Sequence, residues 1–301
     1  RRGLTSTPKK LLPKYFYDAH GSELFEQITE VPEYYPMRAE SALLQANAGE
    51  IMASLAPEEI VELGSGSSTK TRILLDAQDT SRAVKSYVPM DVSESIVRLA
   101  ADELHERYPD LAIHGVIGDF ERHLHKLPPA TGTRLVLFLG STIGNLEPEP
   151  RIVLLSAIRG LLGPEGHLLL GTDLVKDVDV LERAYNDAAG VTAAFNLNIL
   201  KVINNGLQGD FRTEAYKHVA FYNREFSRIE MHLKPMIPQT AHLKAIDLTV
   251  ELRTDETIWT ESSHKFTRES VSDMLQAAGM KLDAWYTGEE PAFGLSLASP
   301  A

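Results

Sequence analysis

The segment Ile60-Val61-Glu62-Leu63-Gly64-Ser65-Gly66-Ser67-Ser68-Thr69-Lys70 carries the strongest fold signal in the chain. Three apolar residues, Ile60, Val61 and Leu63, lead into a Gly- and Ser-rich turn, and a helix-competent segment follows over 69–77. Strand, turn and helix in that order aim backbone N–H groups and the positive end of a helix at a ligand. Gly64 and Gly66 let the main chain turn sharply and approach that ligand closely. A dinucleotide fingerprint would carry a third glycine, and here Ser or Thr stands in its place. Taken alone, the turn suits a dinucleotide, a phosphate, an adenosyl group or a plain strand–helix connection.

The chain downstream repeats the same unit. A second short strand over 87–91 ends in Asp91, and Ser93 is placed to cap a helix running to about residue 107. A third strand is predicted over 113–118, ending at Asp119-Phe120. The continuous apolar run over 134–139 reads as a central parallel strand buried on both faces. It ends in Gly140-Ser141-Thr142-Ile143-Gly144-Asn145. A helix over 148–162 and a fifth strand over 166–171 follow, then Thr172-Asp173-Leu174. Strands alternating with helices at these spacings predict right-handed βα units and a parallel sheet. Ligands on such sheets bind at the carboxyl ends of the strands. That is where Gly64 and Gly66, Asp91, Asp119, Gly140 with Asn145, and Asp173 fall. A tail of helix (269–278) and two strands (282–286 and 292–298) suits an antiparallel edge to that sheet.

The remaining segments follow another pattern. Residues 1–14 are basic and read as an arm on the surface, followed by a helix over 22–29. Pro32 and Pro36 hold Tyr34 and Tyr35 on a constrained, non-helical piece. These tyrosines either pack half-buried or form a rigid wall with phenol groups facing a ligand. Helical periodicity returns over 37–55 and again over 178–202, around Tyr185 and Phe195. From 218 to 266 the chain reads as antiparallel, with alternating strands over 227–233 and 243–252 and an extended piece over 257–265.

Composition narrows the classes of function. The net charge of -12 argues against broad phosphate-backbone binding, so a small-molecule partner is expected rather than nucleic acid. No apolar run is long enough to span a bilayer. With 0 cysteines there is no disulfide, thiolate metal site or Cys nucleophile. The expectation is a cytoplasmic monomer.

Asp91 lies 27 positions after Gly64, where a carboxylate can accept two ribose hydroxyls. Asp119 can accept an adenine amino group and Phe120 can cover the ring. Together these resemble the adenosyl site of class I S-adenosylmethionine (SAM)-dependent methyltransferases. An NAD enzyme would also want Asp91, but with a fuller Gly fingerprint and a hydride-transfer acid or base.

Four further stretches narrow the resemblance: 15–25 with 32–36, Phe138-Leu139-Gly140-Ser141-Thr142-Ile143-Gly144-Asn145-Leu146, 171–177 with 185–196, and Thr260-Glu261-Ser262-Ser263-His264-Lys265-Phe266. With these the chain resembles the L-histidine Nα-methyltransferases of ergothioneine biosynthesis over nearly its whole length. The resemblance implies that SAM, leaving as S-adenosylhomocysteine, is held by Tyr17, Gly64, Lys70, Asp91, Asp119 and Phe120, with Tyr17 matching a mobile tyrosine close to the accepting nitrogen. It implies that Tyr34, Gly140, Asn145 and Tyr185 hold the α-amino and carboxylate groups of L-histidine and of its mono- and dimethylated forms. Glu261 and Ser263 would read the imidazole, and Met231 would line the pocket. Tyr17, Tyr34 and Asn145 are the residues expected nearest the reacting nitrogen, and His264 is assigned no role. Three transfers giving hercynine (Nα,Nα,Nα-trimethyl-L-histidine) are expected, without a metal. A carboxylate and a hydroxyl suit the two polar ring nitrogens of imidazole and would be left unpaired by a phenyl ring.

The expected fold is α/β, a Rossmann-like class I methyltransferase sheet over 39–174 plus 267–301. A second, α+β substrate-binding domain over 1–38 plus 175–266 would complete the pocket between the two. His123 and His125 read as surface residues rather than a metal pair. Asp173 and Asp177 flank Lys176 and read as surface charge pairing. Methylation of another aromatic amino acid, and a non-catalytic SAM or amino-acid sensor, are the competing functions.

Overall fold

The computed structural model describes residues 1–288 and 292–301. The chain divides into two compact units, Pro36–Val175 with Lys265–Ala301 and Arg1–Tyr35 with Lys176–His264. The first elements in chain order are β1 (Lys9–Lys10), α1 (Ala19–Glu30), α2 (Pro36–Leu55), β2 (Glu59–Leu63) and α3 (Thr69–Asp76). Next come β3 (Ser86–Asp91), α4 (Glu94–Arg107), β4 (Ala112–Ile113), β5 (Val116–Ile117), α5 (Phe120–His123) and β6 (Arg134–Phe138). Then follow α6 (Pro148–Leu162), β7 (His167–Asp173), α7 (Val178–Ala184), α8 (Val191–Leu207), β8 (Tyr216–Asn223) and β9 (Arg228–Pro235). The last are β10 (Gln239–Leu243), β11 (Leu248–Leu252), β12 (Ile258–His264), α9 (Arg268–Ala277), β13 (Met280–Thr287) and β14 (Phe293–Pro300).

In the unit that carries the Gly-rich turn, strands lie in the order β13-β14-β7-β6-β2-β3-β4, with β5 also paired to β3. Pairing is parallel from β7 to β4 and β5, and antiparallel where β14 and β13 close the edge. The chain winds outward from β2 to β3 and β4, then returns to lay β6 on the other side of β2. The order therefore reverses at β2, and the Gly-rich turn sits at that switch point. β2 and β6 are buried along their whole length, which is why they lack alternation in the sequence. Val61, Leu63, Val136, Phe138, Leu168 and Leu170 pack toward the core that includes α6 and α9. Ile60, Tyr87, Leu135, Leu137 and Leu169 pack into the core that includes α2, α3 and α4.

The second unit is an α+β assembly. Its sheet runs β1-β12-β9-β8, a separate hairpin pairs β10 with β11, and α1, α7 and α8 belong to the same unit.

Four local expectations need correction. The basic arm is not simply solvated: Lys9 and Lys10 pair with Ile258 and Trp259 as a parallel edge strand, and Leu4 is buried. Lys10 Nζ lies 4.2 Å above the Trp259 ring, so the charge that suggested a loose arm helps to dock it. The third strand is interrupted at His114-Gly115 into β4 and β5, in keeping with the weakening effect of glycine in a strand. The strand expected over 243–252 is two strands of a hairpin, with a tight turn at Lys244–Ile246 and Asp247 at φ 45°. Polar–apolar alternation changes phase at Ala245-Ile246, inside that turn, a slip that a bulge within one longer strand would also produce. Ser93 occupies the N-cap position of α4, but its hydroxyl bonds to Ser95 Oγ at 3.2 Å and makes no cap.

Candidate active site

The Gly-rich turn leaves β2 with Gly64 at φ 71° and Gly66 at φ 49°, conformations that an L side chain rarely adopts. Gly66 N–H donates to Asp91 Oδ2 at 3.1 Å, and Ser93 N–H donates to Asp91 Oδ1 at 3.0 Å. The strand-end carboxylate is thereby fixed against the turn by backbone donors. Phe120 lies on the other side, its Cε1 3.8 Å from the position of a Cβ added to Gly64. Its ring meets Phe138 edge-on at 5.3 Å between centroids. Asp119 N-caps α5, its Oδ1 accepting from Glu121 N–H at 3.0 Å, while its own N–H donates to His123 Nδ1 at 3.0 Å. Gly64, Asp91, Asp119 and Phe120 are therefore carried on the turns after β2, β3 and β5. No group of three or more His, Asp or Glu that could hold a metal occurs among the described residues.

Beneath the turn is a buried polar cluster. Thr71 Oγ1 donates to Glu62 Oε2 at 2.6 Å, the Tyr87 hydroxyl donates to the same oxygen, and Ser68 Oγ lies 2.7 Å from the Tyr87 hydroxyl. Burial pushes the Glu62 carboxyl up from 4.5 to about 7, with Thr71, Tyr87 and Lys70 pulling it down and Glu40 adding to the rise. The fold thus favours the neutral acid. Its stabilising contribution is complete below the unfolded value of 4.5 and is lost as pH rises through about 7, on the order of 3 kcal/mol. Glu62→Gln, which cannot ionise, should gain stability relative to the parent between pH 5 and 8 in urea titrations. A difference between the two proteins that stays flat with pH would contradict this account.

At the end of β6 the chain turns through Gly140 and Ser141 into a 3₁₀ turn, Thr142–Asn145. Ser141 Oγ accepts from Asp173 N–H at 2.9 Å. The Asp173 carboxylate is not a surface charge. It is buried and paired with Lys265 Nζ at 2.8 Å. Lys176 donates to the Tyr35 hydroxyl at 2.8 Å and stands 4.5 Å over its ring. Asn145, the last residue of the 3₁₀ turn, is half-buried. Lys70 pairs with the buried Glu40, whose two oxygens each accept Gly140 N–H at 2.9 Å.

In the other unit the two neighbouring tyrosines separate. Tyr35 is buried and engaged with Lys176, whereas half-buried Tyr34 meets Tyr185 edge-on at 6.3 Å and Phe25 at 6.4 Å. Tyr17 joins the same aromatic set through Phe25 at 5.7 Å and Phe195 at 5.6 Å. Its neighbour Asp18 N-caps α1 and also accepts from Asn198 Nδ2 at 2.8 Å, which ties the start of α1 to α8. The Tyr185 hydroxyl donates to Ser263 Oγ at 2.8 Å, and Met231 stands opposite Glu261 in the β9–β12 register.

A buried network supports these residues. Asn196, wholly buried on α8, donates to His218 Nδ1 at 2.8 Å and to the His232 carbonyl at 3.1 Å, and accepts from Thr260 Oγ1 at 2.7 Å. His218 Nε2–H then donates to the Tyr185 carbonyl at 2.8 Å. This tautomer requires a neutral ring, and burial holds the His218 pKa down against the pull of that carbonyl. The register of β12 shifts between Trp259 and Glu261, where Thr260 meets Asn196, and Trp259 Nε1–H donates to the Glu261 carbonyl at 2.8 Å. One amide thus braces Tyr185 on one side and the approach to Glu261 on the other. Sequence reasoning missed Asn196, His218, Thr260 and Glu40. Asn196 and Thr260 lie in stretches that carry the resemblance, and Glu40 left a trace as an acid on the buried stripe of α2 shared with Leu43, Leu44 and Ile51.

A nucleotide turn at the sheet's switch point and an aromatic, hydroxyl-bearing wall lie in one chain. The model of histidine-specific, SAM-dependent methyltransferases matches residues 1–300. The chain belongs to this family. It is 49% identical over 298 residues to a histidine N-alpha-methyltransferase of Mycolicibacterium smegmatis, covering 99% of this chain and 92% of that protein. It is 48% identical over 297 residues to a histidine N-alpha-methyltransferase of Mycobacterium tuberculosis, with the same coverage of each chain. Among solved structures, a SAM-dependent methyltransferase from Clostridium acetobutylicum aligns with 93% of this chain and 98% of its own, at a TM-score of 0.52 and 10% identity. That likeness concerns the fold, which is the α/β methyltransferase fold expected of this family.

Proposed function

We propose that this protein transfers three methyl groups from SAM to the α-amino nitrogen of L-histidine, giving hercynine, a step of ergothioneine biosynthesis. The observation that carries the reading is the Tyr185–Ser263 hydrogen bond on the strand that bears Glu261, in a chain of the histidine-specific family. SAM supplies an electrophilic methyl group. When bound, it would accept in-line attack by the amine lone pair at that methyl and leave as S-adenosylhomocysteine, the carbon–sulfur electrons going to sulfur.

The residues of this chain bind and orient. Asp91 and Asp119 offer carboxylate oxygens to the ribose and adenine, Gly64 gives close backbone approach, Phe120 covers the ring and Lys70 offers a cation to the methionine carboxylate. Gly140, Asn145, Tyr34 and Tyr185 hold the amino-acid head, while Glu261 accepts an imidazole N–H and Ser263 serves the other ring nitrogen. Met231 fills the space beside them. Each of the first two products must lose an ammonium proton to solvent before it can react again. The third is a fixed cation with no N–H. Tyr17 and Tyr34, hydroxyl-bearing rings in an aromatic cluster, suit this progression from hydrogen bonding to cation–π contact. In-line positioning supplies the acceleration, with no covalent enzyme intermediate.

The test offers SAM with each standard amino acid in turn and follows product mass. Histidine alone should be consumed, ending at the trimethyl product. A methylated tryptophan or tyrosine, or no product despite tight SAM binding, would overturn the proposal.

A further inference from the structure

Glu40 is a charged residue where an apolar one would pack more cheaply. It lies on the buried stripe of α2 with 0% exposure. A buried carboxylate is costly unless it is paired and hydrogen-bonded, and a buried ion pair rarely outperforms an apolar replacement in stability. Its contacts indicate a different use. Lys70, in the first turn of α3 directly after the Gly-rich turn, pairs with Oε2. Gly140 N–H, at the end of β6, lies 2.9 Å from both carboxylate oxygens. Space for the group exists because residue 171 has no side chain, since a Cβ there would sit 1.9 Å from Oε1. One carboxylate thus joins two strand-end segments, after β2 and after β6, in the space that β7 leaves at Gly171.

We propose that Glu40 is a positioning residue that sets the Lys70 ammonium for the cofactor and the Gly140 peptide for the amino-acid substrate. The Gly140 half rests on the function proposed above, whereas the Lys70 half requires only that the protein bind the adenosyl cofactor. The geometry also makes glutamine a poor substitute. An amide has one acceptor oxygen, and Gly140 N–H and Lys70 between them address both. Either amide rotamer turns an NH₂ toward a donor.

The test measures S-adenosylhomocysteine affinity by titration calorimetry, with steady-state KM values for histidine, in the parent, Glu40→Gln, Lys70→Met and the double variant. Glu40→Gln should weaken S-adenosylhomocysteine about tenfold and raise the histidine KM by more than it lowers kcat. In the Lys70→Met background the same change should weaken S-adenosylhomocysteine less than threefold, because its effect passes through the lysine. Gly171→Ala, which crowds Oε1 while leaving the charge in place, should weaken binding in the same direction. It supplies the test if Glu40→Gln does not fold. A folded Glu40→Gln, or Gly171→Ala in its place, that binds S-adenosylhomocysteine within threefold of the parent would overturn the proposal, as would full additivity in the double variant. A parent that binds S-adenosylhomocysteine but leaves histidine unmethylated would remove the functional reading and leave the Lys70 half to be judged on binding alone.

Discussion

Glu261→Ala is expected to lower kcat/KM for histidine by about a hundredfold while leaving S-adenosylhomocysteine affinity within twofold of the parent. Glu261 is half-buried on β12, opposite Met231. A carboxylate accepting an N–H in such a place is worth roughly 1.5–3 kcal/mol, and its loss leaves a polar ring nitrogen of the substrate without a partner. Ser263 and Tyr185 keep their mutual hydrogen bond in the variant, so recognition is halved rather than abolished. Because Glu261 and the Gly-rich turn belong to different units of the chain, cofactor affinity should not follow. Steady-state kinetics with histidine, paired with calorimetry for S-adenosylhomocysteine, separates the two. Equal losses in both would show that the glutamate supports the fold at large rather than reading the imidazole.

The largest effect on stability is expected from Lys265→Ala. Lys265 and Asp173 are paired at 2.8 Å with side chains 0% and 1% exposed. Removing the ammonium leaves the carboxylate without this cation, a change that costs about 3–5 kcal/mol. In a chain of this size that corresponds to a fall in Tm on the order of 10 °C. Asp173 also accepts Phe266 N–H on its carbonyl and donates its own N–H to Ser141, so the disturbance should reach the Gly140–Asn145 turn. Replacing both partners together, Asp173→Asn with Lys265→Met, should cost less than the single change, because no charge is then stranded. Urea midpoints for the single and double variants check this. A single variant within about 1 kcal/mol of the parent, or a double variant worse than the single, would show that the pair is not acting as a buried ion pair.

Much of the methyltransferase sheet was legible because its physics is local. β2 and β6 read as uninterrupted apolar runs because both of their faces are covered, and strand ends announced themselves by glycine and aspartate. Asp91 could be placed from its spacing to Gly64 alone. The hairpin of β10 and β11 left only a phase slip at Ala245-Ile246, which a bulge within one strand would equally explain. Tyr34 and Tyr35 could not be told apart either. What separates them is Lys176, a residue far along the chain that takes up the Tyr35 ring and hydroxyl. The polar interior was the least accessible part. Asn196 is an ordinary residue in a helical stretch until α8 is set beside β8, β9 and β12, when its one amide meets His218, the His232 carbonyl and Thr260. Asp173 read as a surface charge because Lys176 and Asp177 follow it in sequence, but the fold buries it against Lys265. Buried polar groups choose partners by three-dimensional proximity and by the cost of remaining unpaired, and neither is written in local periodicity.

The central claim is that methyl groups are delivered to the α-nitrogen of histidine until that nitrogen is quaternary. Carbon-13-labelled methyl SAM, turned over with L-histidine and followed by NMR, tests it most directly. The final product should show a single labelled resonance from three equivalent methyl groups on Nα and an unmodified imidazole, with three molecules of S-adenosylhomocysteine formed per histidine. Label on a ring nitrogen, or a reaction that stops at one methyl group with SAM still in excess, would contradict it.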